Sequence, residues 1–279
     1  MGRFRLRGRR RRDRAHKMRA DMIPLRTIVP NLVTSMAACA GITSISLSSE
    51  GRFLHALIAL LVACVCDGMD GRIARLLKAS SKLGAELDSL ADFVNFGVAP
   101  AMFMFFWLTG GPAHEGYSPQ MVRLVLGCSL FYALCDCFRL ARFNTMLEQP
   151  TLPYWKHFFL GVPAPGGCWM VLTPVLLALS IKDLEPMMRN PTCAMTMLCL
   201  VGILMASRLP TISLKSIRLT KQYMLPTMAL LLLLVAFLFT HFWLTLGVMG
   251  AGYIATVPFV GLIFLKLKAR YIRANQVQS

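Results

Sequence analysis

The sequence predicts an all-α, polytopic membrane protein with about eight transmembrane helices. Three observations carry that expectation. Of the 279 residues, 56% are hydrophobic and only 15% charged, whereas soluble domains carry about a quarter charged residues. Mean hydropathy is +0.58, and apolar runs recur between residues 31 and 265 with no polar linker long enough to separate soluble domains. The basic residues, finally, alternate in abundance from one inter-run segment to the next, as they do when a chain crosses a bilayer repeatedly.

A bilayer core takes about 20 apolar residues per helix. The runs that meet this length are 31–48, 53–75, 83–108, 121–140, 163–181, 192–208, 224–243 and 246–265. Helix-ending chemistry stands between them, as in Ser49-Glu50-Gly51, Gly110-Gly111-Pro112 and Asn190-Pro191. Some neighbours are separated by only four or five residues, which predicts helical hairpins.

With the N-terminus inside, the inner segments 1–26, 72–82, 139–156, 208–221 and 266–279 hold 26 of the 30 Lys and Arg residues. The outer ones hold only Arg52, Arg123, Lys182 and Arg189. This split predicts an even number of spans with both termini cytoplasmic. It also accounts for most of the net charge of +17 as topology, so no nucleic-acid partner is required. Eleven of the basic residues precede the first span, in a block too poor in apolar residues to fold alone. That block reads as a cytoplasmic tail that fixes topology, with attraction to anionic membrane lipids as the sharper alternative. No cleavable leader is expected, because the first apolar run lacks a small-residue cleavage site. The nine cysteines lie in apolar runs without a CxxC pair, and are read as small buried hydrophobes rather than disulfides or zinc ligands.

Acids are scarce, 13 in all, yet Asp67, Asp70, Glu86, Asp88 and Asp92 fall within 26 residues at the inner ends of the second and third runs. An acid in a membrane segment costs about 2.5–3.5 kcal/mol on insertion scales, so such a cluster points to function. Asp67, Asp70 and Ala74 share one helical face, and Gly84, Asp88 and Asp92 share another. The short connection predicts that the two helices are antiparallel neighbours with these faces opposed. Carboxylates without nearby His or Cys select a hard cation, Mg²⁺ or Mn²⁺, which pairs with phosphate oxygens. Gly71 and Gly84 clear space for a bulky ligand, and Arg75 offers a planar fork for phosphate. Interfacial ion pairing with Arg72, Arg75 and Lys82 would balance the charge, but would not account for the spacing or the glycines.

The run from Asp67 to Asp92, D-x2-D-G-x2-A-R-x8-G-x3-D-x3-D, resembles the full signature of the CDP-alcohol phosphotransferase family. The resemblance implies a six-helix membrane core that transfers a phosphatidyl or related group from a CDP-linked donor to an alcohol, with release of CMP. Carried over by position, Asp67, Asp70 and Asp88 would hold a pair of Mg²⁺ or Mn²⁺ ions. Asp92 would complete that cluster and act as the catalytic base. Gly71, Ala74, Arg75 and Gly84 would lie against the CDP moiety.

The fourth run ends with Arg139 and Arg142, three apart on one face at the depth of the acids. They could grip an acceptor carboxylate or the donor phosphate, or simply anchor a span end on the inner side. Together with 28–34, Asn95 to Pro100 and 205–215, the stretch is similar to the branch of the family whose acceptor is serine. The run Asp88-Ser-Leu-Ala-Asp92-Phe93 departs from the D-P-x-A-D-K pattern of the glycerophosphate branch. The expected substrates are therefore CDP-diacylglycerol and L-serine, at a bacterial inner membrane with the active site on the cytoplasmic side; a homodimer would be in keeping with the family. Glycerol 3-phosphate, inositol or choline remain alternative acceptors. An ion-coupled transporter and a non-catalytic membrane scaffold are the readings from other classes. The expected organisation is a basic tail over 1–26, the catalytic membrane domain over 27–220, and two further helices with a basic cytoplasmic end over 221–279.

Overall fold

The computed structural model describes residues 25–79, 81–110, 117–146, 158–207, 210–212 and 223–257. The N-terminal basic block, most of 208–221 and the basic end 266–279 lie outside the described residues. Helix α1 spans Leu25–Ser49, α2 Phe53–Leu76 and α3 Lys82–Asp92. A π-helical turn, Phe93–Val98, joins α3 without a break to α4, Ala99–Thr109, and α5 covers Pro119–Met146. A short strand β1, Phe158–Leu160, leads into α6, Ala164–Ser180; the small helix α7, Glu185–Met188, then precedes α8, Pro191–Ala206. Strand β2, Pro210–Ile212, and α9, Met224–Thr240, follow, and the last helix described is α10, Phe242–Val257.

All eight predicted apolar runs are helical over most of their described residues. Among the described residues four helical stretches are long and apolar enough to cross a membrane: Ile28–Ser49, Phe53–Leu76, Lys82–Thr109 and Pro119–Thr145. A fifth results if Lys182–Met188 and Pro191–Ala206, bent by 71°, count as one span. Helices α6 and α9 have 17 residues each, or about 25 Å at 1.5 Å per residue, short of a hydrocarbon core of about 30 Å.

The core gathers between α4, α5, α6 and α8, where Phe103, Met104, Leu108, Val125, Tyr132, Met170, Val171, Leu198 and Met205 are fully buried. Leu32, Met36 and Ile42 on α1 and Ile58, Val62 and Val65 on α2 are exposed instead, as lipid-facing side chains of a membrane bundle are. Close approaches use small residues, a general device of membrane helices. A Cβ on Gly250 would collide with the Thr173 hydroxyl, and one on Gly202 would sit 3.3 Å from the Tyr132 backbone. Trp169 Nε1 donates to the Leu246 carbonyl at 3.0 Å, so α10 is held to α6. At the end of α4 remote from the acids, Arg189 donates to the carbonyls of Trp107 and Gly110 and stacks over the Trp107 ring.

Two features differ from the expectation of uninterrupted helices. The third span widens into the π turn because Pro100 has no N–H to offer the Phe96 carbonyl four residues back. Within the turn the Ala99 N–H reaches Val94, five residues away, and the Tyr132 hydroxyl donates to the Phe96 carbonyl at 2.8 Å. The second feature is the antiparallel pairing of β1 with β2 in register Phe158 to Ile212, the only sheet among the described residues. Gly161, at φ +77°, makes the turn out of β1; a Cβ there would meet the Met205 carbonyl at 2.7 Å.

Candidate active site

Helix α2 ends in a tight wrap, with the Ala79 N–H bonded to the Ala74 carbonyl at 2.9 Å. Ser81 then takes an extended conformation, and its hydroxyl accepts the Gly84 N–H at 3.0 Å, an N-cap that fixes where α3 starts. Start of helix and spacing together place Asp88 and Asp92 one turn apart on the side facing α2.

One oxygen from each of Asp67, Asp70 and Asp88 lies within 4.8 Å of the others. Asp70 is buried, 3% exposed. Its Oδ2 accepts from the Thr34 hydroxyl at 2.6 Å and its Oδ1 from the Gly71 N–H at 2.5 Å. Thr34 also lies 3.1 Å from the Pro30 carbonyl, but with one proton to give, its shorter and charge-assisted contact is to Asp70. Three convergent carboxylates without a cation among them would repel. With a divalent cation among them they form an all-oxygen donor set, which suits Mg²⁺ or Mn²⁺. Asp92 stands beside this trio, with its carboxyl within hydrogen-bonding reach of Asp67 and with Arg139 as its neighbouring cation. Glu86, the remaining acid of the cluster in sequence, is exposed and outside the trio.

The backbones of α2 and α3 scarcely meet. Both pack against α1 instead, so the predicted antiparallel contact is a cleft roofed by the first helix. The cleft holds a cavity of about 230 Å³, lined by Pro30, Asn31 and Thr34 of α1, by Asp70, Gly71, Ala74 and Arg75 of α2, and by Ser81, Gly84 and Asp88 at the start of α3. The two glycines differ in their reasons. A Cβ on Gly71 would meet nothing within 4 Å, so that glycine opens the cavity. A Cβ on Gly84 would come 2.9 Å from Asn31 Oδ1 and 3.1 Å from Ser81 Oγ, so that one lets α3 approach α1. Arg75 donates Nε to the Gly71 carbonyl at 3.0 Å, and its terminal nitrogens make no hydrogen bond among the described residues.

The two arginines of α5 are not used alike. Arg139 Nε lies 3.2 Å from Asp136 Oδ1. Arg142 Nη1 donates to the carbonyls of Ala206 at 2.8 Å and Ser207 at 3.3 Å, which closes the end of α8. Arg139 borders the acids, while Arg142 ties α5 to α8 through Nη1. Asn144 donates to Ser89 Oγ at 3.1 Å and links α5 to α3.

A family model described as CDP-alcohol phosphatidyltransferase matches residues 27–206. The chain belongs to that family. It is 33% identical over 235 residues to the CDP-diacylglycerol–serine O-phosphatidyltransferase of Mycobacterium leprae, an alignment covering 83% of this chain and 74% of the relative. The protein of that name in Helicobacter pylori is 33% identical over 182 residues, 65% of this chain and 70% of the relative. The Bacillus subtilis one is 32% identical over 166 residues, 57% and 85%. As a CDP-alcohol phosphatidyltransferase the protein is a membrane-embedded transferase of phospholipid biosynthesis, which sets aside the transporter and scaffold readings.

Sequence reasoning did not assign Thr34 a role, although it lies in one of the stretches that carried the resemblance. Its signal was weak, since a hydroxyl in an apolar helix usually bonds its own backbone. The importance of Asp136 as the partner of Arg139 was likewise not drawn out, although an acid three residues before an arginine was visible in the sequence.

Proposed function

We propose that the enzyme transfers the phosphatidyl group of CDP-diacylglycerol to the hydroxyl of L-serine, giving phosphatidylserine and CMP. The observation that carries this reading is the carboxylate trio of Asp67, Asp70 and Asp88, of which Asp70 and Asp88 line a cavity together with Gly71, Ala74 and Arg75, with Asp92 alongside. The serine transferases among its relatives, and Arg139 beside Asp92, support serine as the acceptor.

In this proposal Asp67, Asp70 and Asp88 hold Mg²⁺ or Mn²⁺, two ions with Asp92 completing the set. When bound, the metal supplies charge neutralisation at the pyrophosphate and the leaving CMP. Gly71 leaves room for the pyrophosphate to approach the α2 backbone, with Ala74 and Gly84 flanking the same cavity, and the terminal nitrogens of Arg75 take a phosphate oxygen. Arg139 holds the serine carboxylate beside Asp92. Asp92 accepts the proton of the serine hydroxyl as its oxygen bonds to the lipid-bearing phosphorus, and the bond from that phosphorus to the CMP oxygen breaks. Arg142 acts by keeping α5 seated on α8. The split of 26 to 4 basic residues supports a cytoplasmic active site and cytoplasmic termini, as at a bacterial inner membrane. The same proposal has the tail at 1–26, the catalytic domain at 27–220, and accessory helices with a basic end at 221–279; a homodimer is compatible with it.

The test is an acceptor panel on purified protein in mixed micelles of CDP-diacylglycerol with Mg²⁺ or Mn²⁺, scored by CMP release and lipid product. Release is expected with L-serine. Lipid product with glycerol 3-phosphate, inositol or choline but not with serine would overturn the assignment.

A further inference from the structure

Asp136 has no exposed side-chain surface, on a helix long and apolar enough to cross a membrane. One of its oxygens meets Arg139 Nε at 3.2 Å; the other, Oδ2, has no hydrogen-bond partner among the described residues. A buried ion pair matched through a single oxygen is a poor source of stability, because an apolar pair of similar volume serves as well or better. Its value must lie in what it fixes. The bond is made by Nε, so the guanidinium is held by its inner edge. Neither terminal nitrogen makes a hydrogen bond among the described residues, and the charge of this arginine acts on Asp92. The floor beneath Asp136 is specific as well: a Cβ on Gly97 would come 2.8 Å from Oδ2, so only glycine in the π turn lets the carboxylate sit at this depth.

We propose that Asp136, seated on Gly97, is a positioning residue that aims the terminal fork of Arg139 at the carboxylate of the amino-acid acceptor beside Asp92. The proposal rests on the acceptor role given above to Arg139. Two nitrogens in one plane match a carboxylate in two parallel hydrogen bonds, and that match depends on the plane being held. An arginine released from Asp136 keeps its charge and loses its aim. The predicted defect therefore falls on capture of serine and spares capture of the lipid donor.

The experiment compares Asp136→Asn, Gly97→Ala and Arg139→Ala with the parent enzyme in mixed micelles, measuring KM for serine and for CDP-diacylglycerol and kcat separately. Asp136→Asn is expected to raise the KM for serine about tenfold, with the KM for CDP-diacylglycerol unmoved. Gly97→Ala should shift it in the same direction by a smaller factor, and decides the matter if the Asn variant does not fold. A KM for serine unmoved in the folded variants, or both KM values rising together, overturns the proposal. Arg139→Ala separates the two levels. If it leaves the KM for serine unchanged, the acceptor role of Arg139 itself is wrong; if it raises that KM while the other two variants do not, only the positioning role of Asp136 falls.

Discussion

Asp70 and Asp136 are both buried carboxylates in apolar helices, yet their surroundings are opposite in kind. Asp70 has a donor for each oxygen, one from α1 and one from its own backbone, and converges with Asp67 of its own helix and Asp88 across the cleft. Asp136 has a donor for one oxygen, and Asn95, one turn from Asp92 in the π segment, has among the described residues neither a donor for its amide oxygen nor an acceptor for its amide nitrogen. The first region is built to hold negative charge in place while something positive is shared. The second tolerates unmatched polar atoms, a condition that stability alone does not favour.

The largest effect should come from the first region. Asp88→Asn removes one of three convergent carboxylates proposed to hold the metal, and CMP release is expected to fall by on the order of 10³-fold with the protein still folded by size-exclusion in detergent. Full turnover in that variant would break the comparison outright. Thr34→Val leaves all three carboxylates but takes the donor from Asp70 Oδ2. An outer partner of this kind is worth about 10–100-fold in metal affinity, so a Mn²⁺ titration of activity should shift to higher concentration by that factor. If the midpoint is unmoved, the Thr34 contact is incidental.

Tyr132→Phe probes the boundary between the regions, because it strips the Phe96 carbonyl of its hydroxyl donor. A loss of about 1 kcal/mol is expected, read as a fall of about 2–4 °C in unfolding temperature with both KM values unchanged. Asn95→Leu should move the other way. It replaces an unmatched buried amide by an apolar group of similar shape, and a rise of about 2–4 °C is expected. A fall of that size would show that the amide has a partner after all, and would blur the contrast drawn here.

The acid spacing, the turn signals and the apolar runs made the helices and the trio of Asp67, Asp70 and Asp88 legible, because both depend on residues near one another in sequence. What the sequence did not reveal depends on partners far along the chain. Thr34 reaches Asp70 across 36 positions, and Arg142 spends a nitrogen on carbonyls 64 and 65 residues away. Periodicity also predicts which face of a helix carries the acids but not which neighbour it meets, and so α1 was missed as the roof of the cleft. The strand pair β1–β2 escaped for another reason. Three residues a side are too few for an alternating pattern to register.

The π turn at Phe93–Val98 sets the angle between two jobs done by one span. An extra residue in a helical turn rotates everything beyond it by about 100°. Below the turn Asp88 and Asp92 look into the cleft, and above it Phe103 and Met104 look into the core. Deleting a single residue from that turn would rewind it to α geometry and turn the acid-bearing face against the packing face by about a quarter of a circle. The span therefore behaves as two short helices welded at a fixed angle, and its length in residues is as much a part of the active site as its acids.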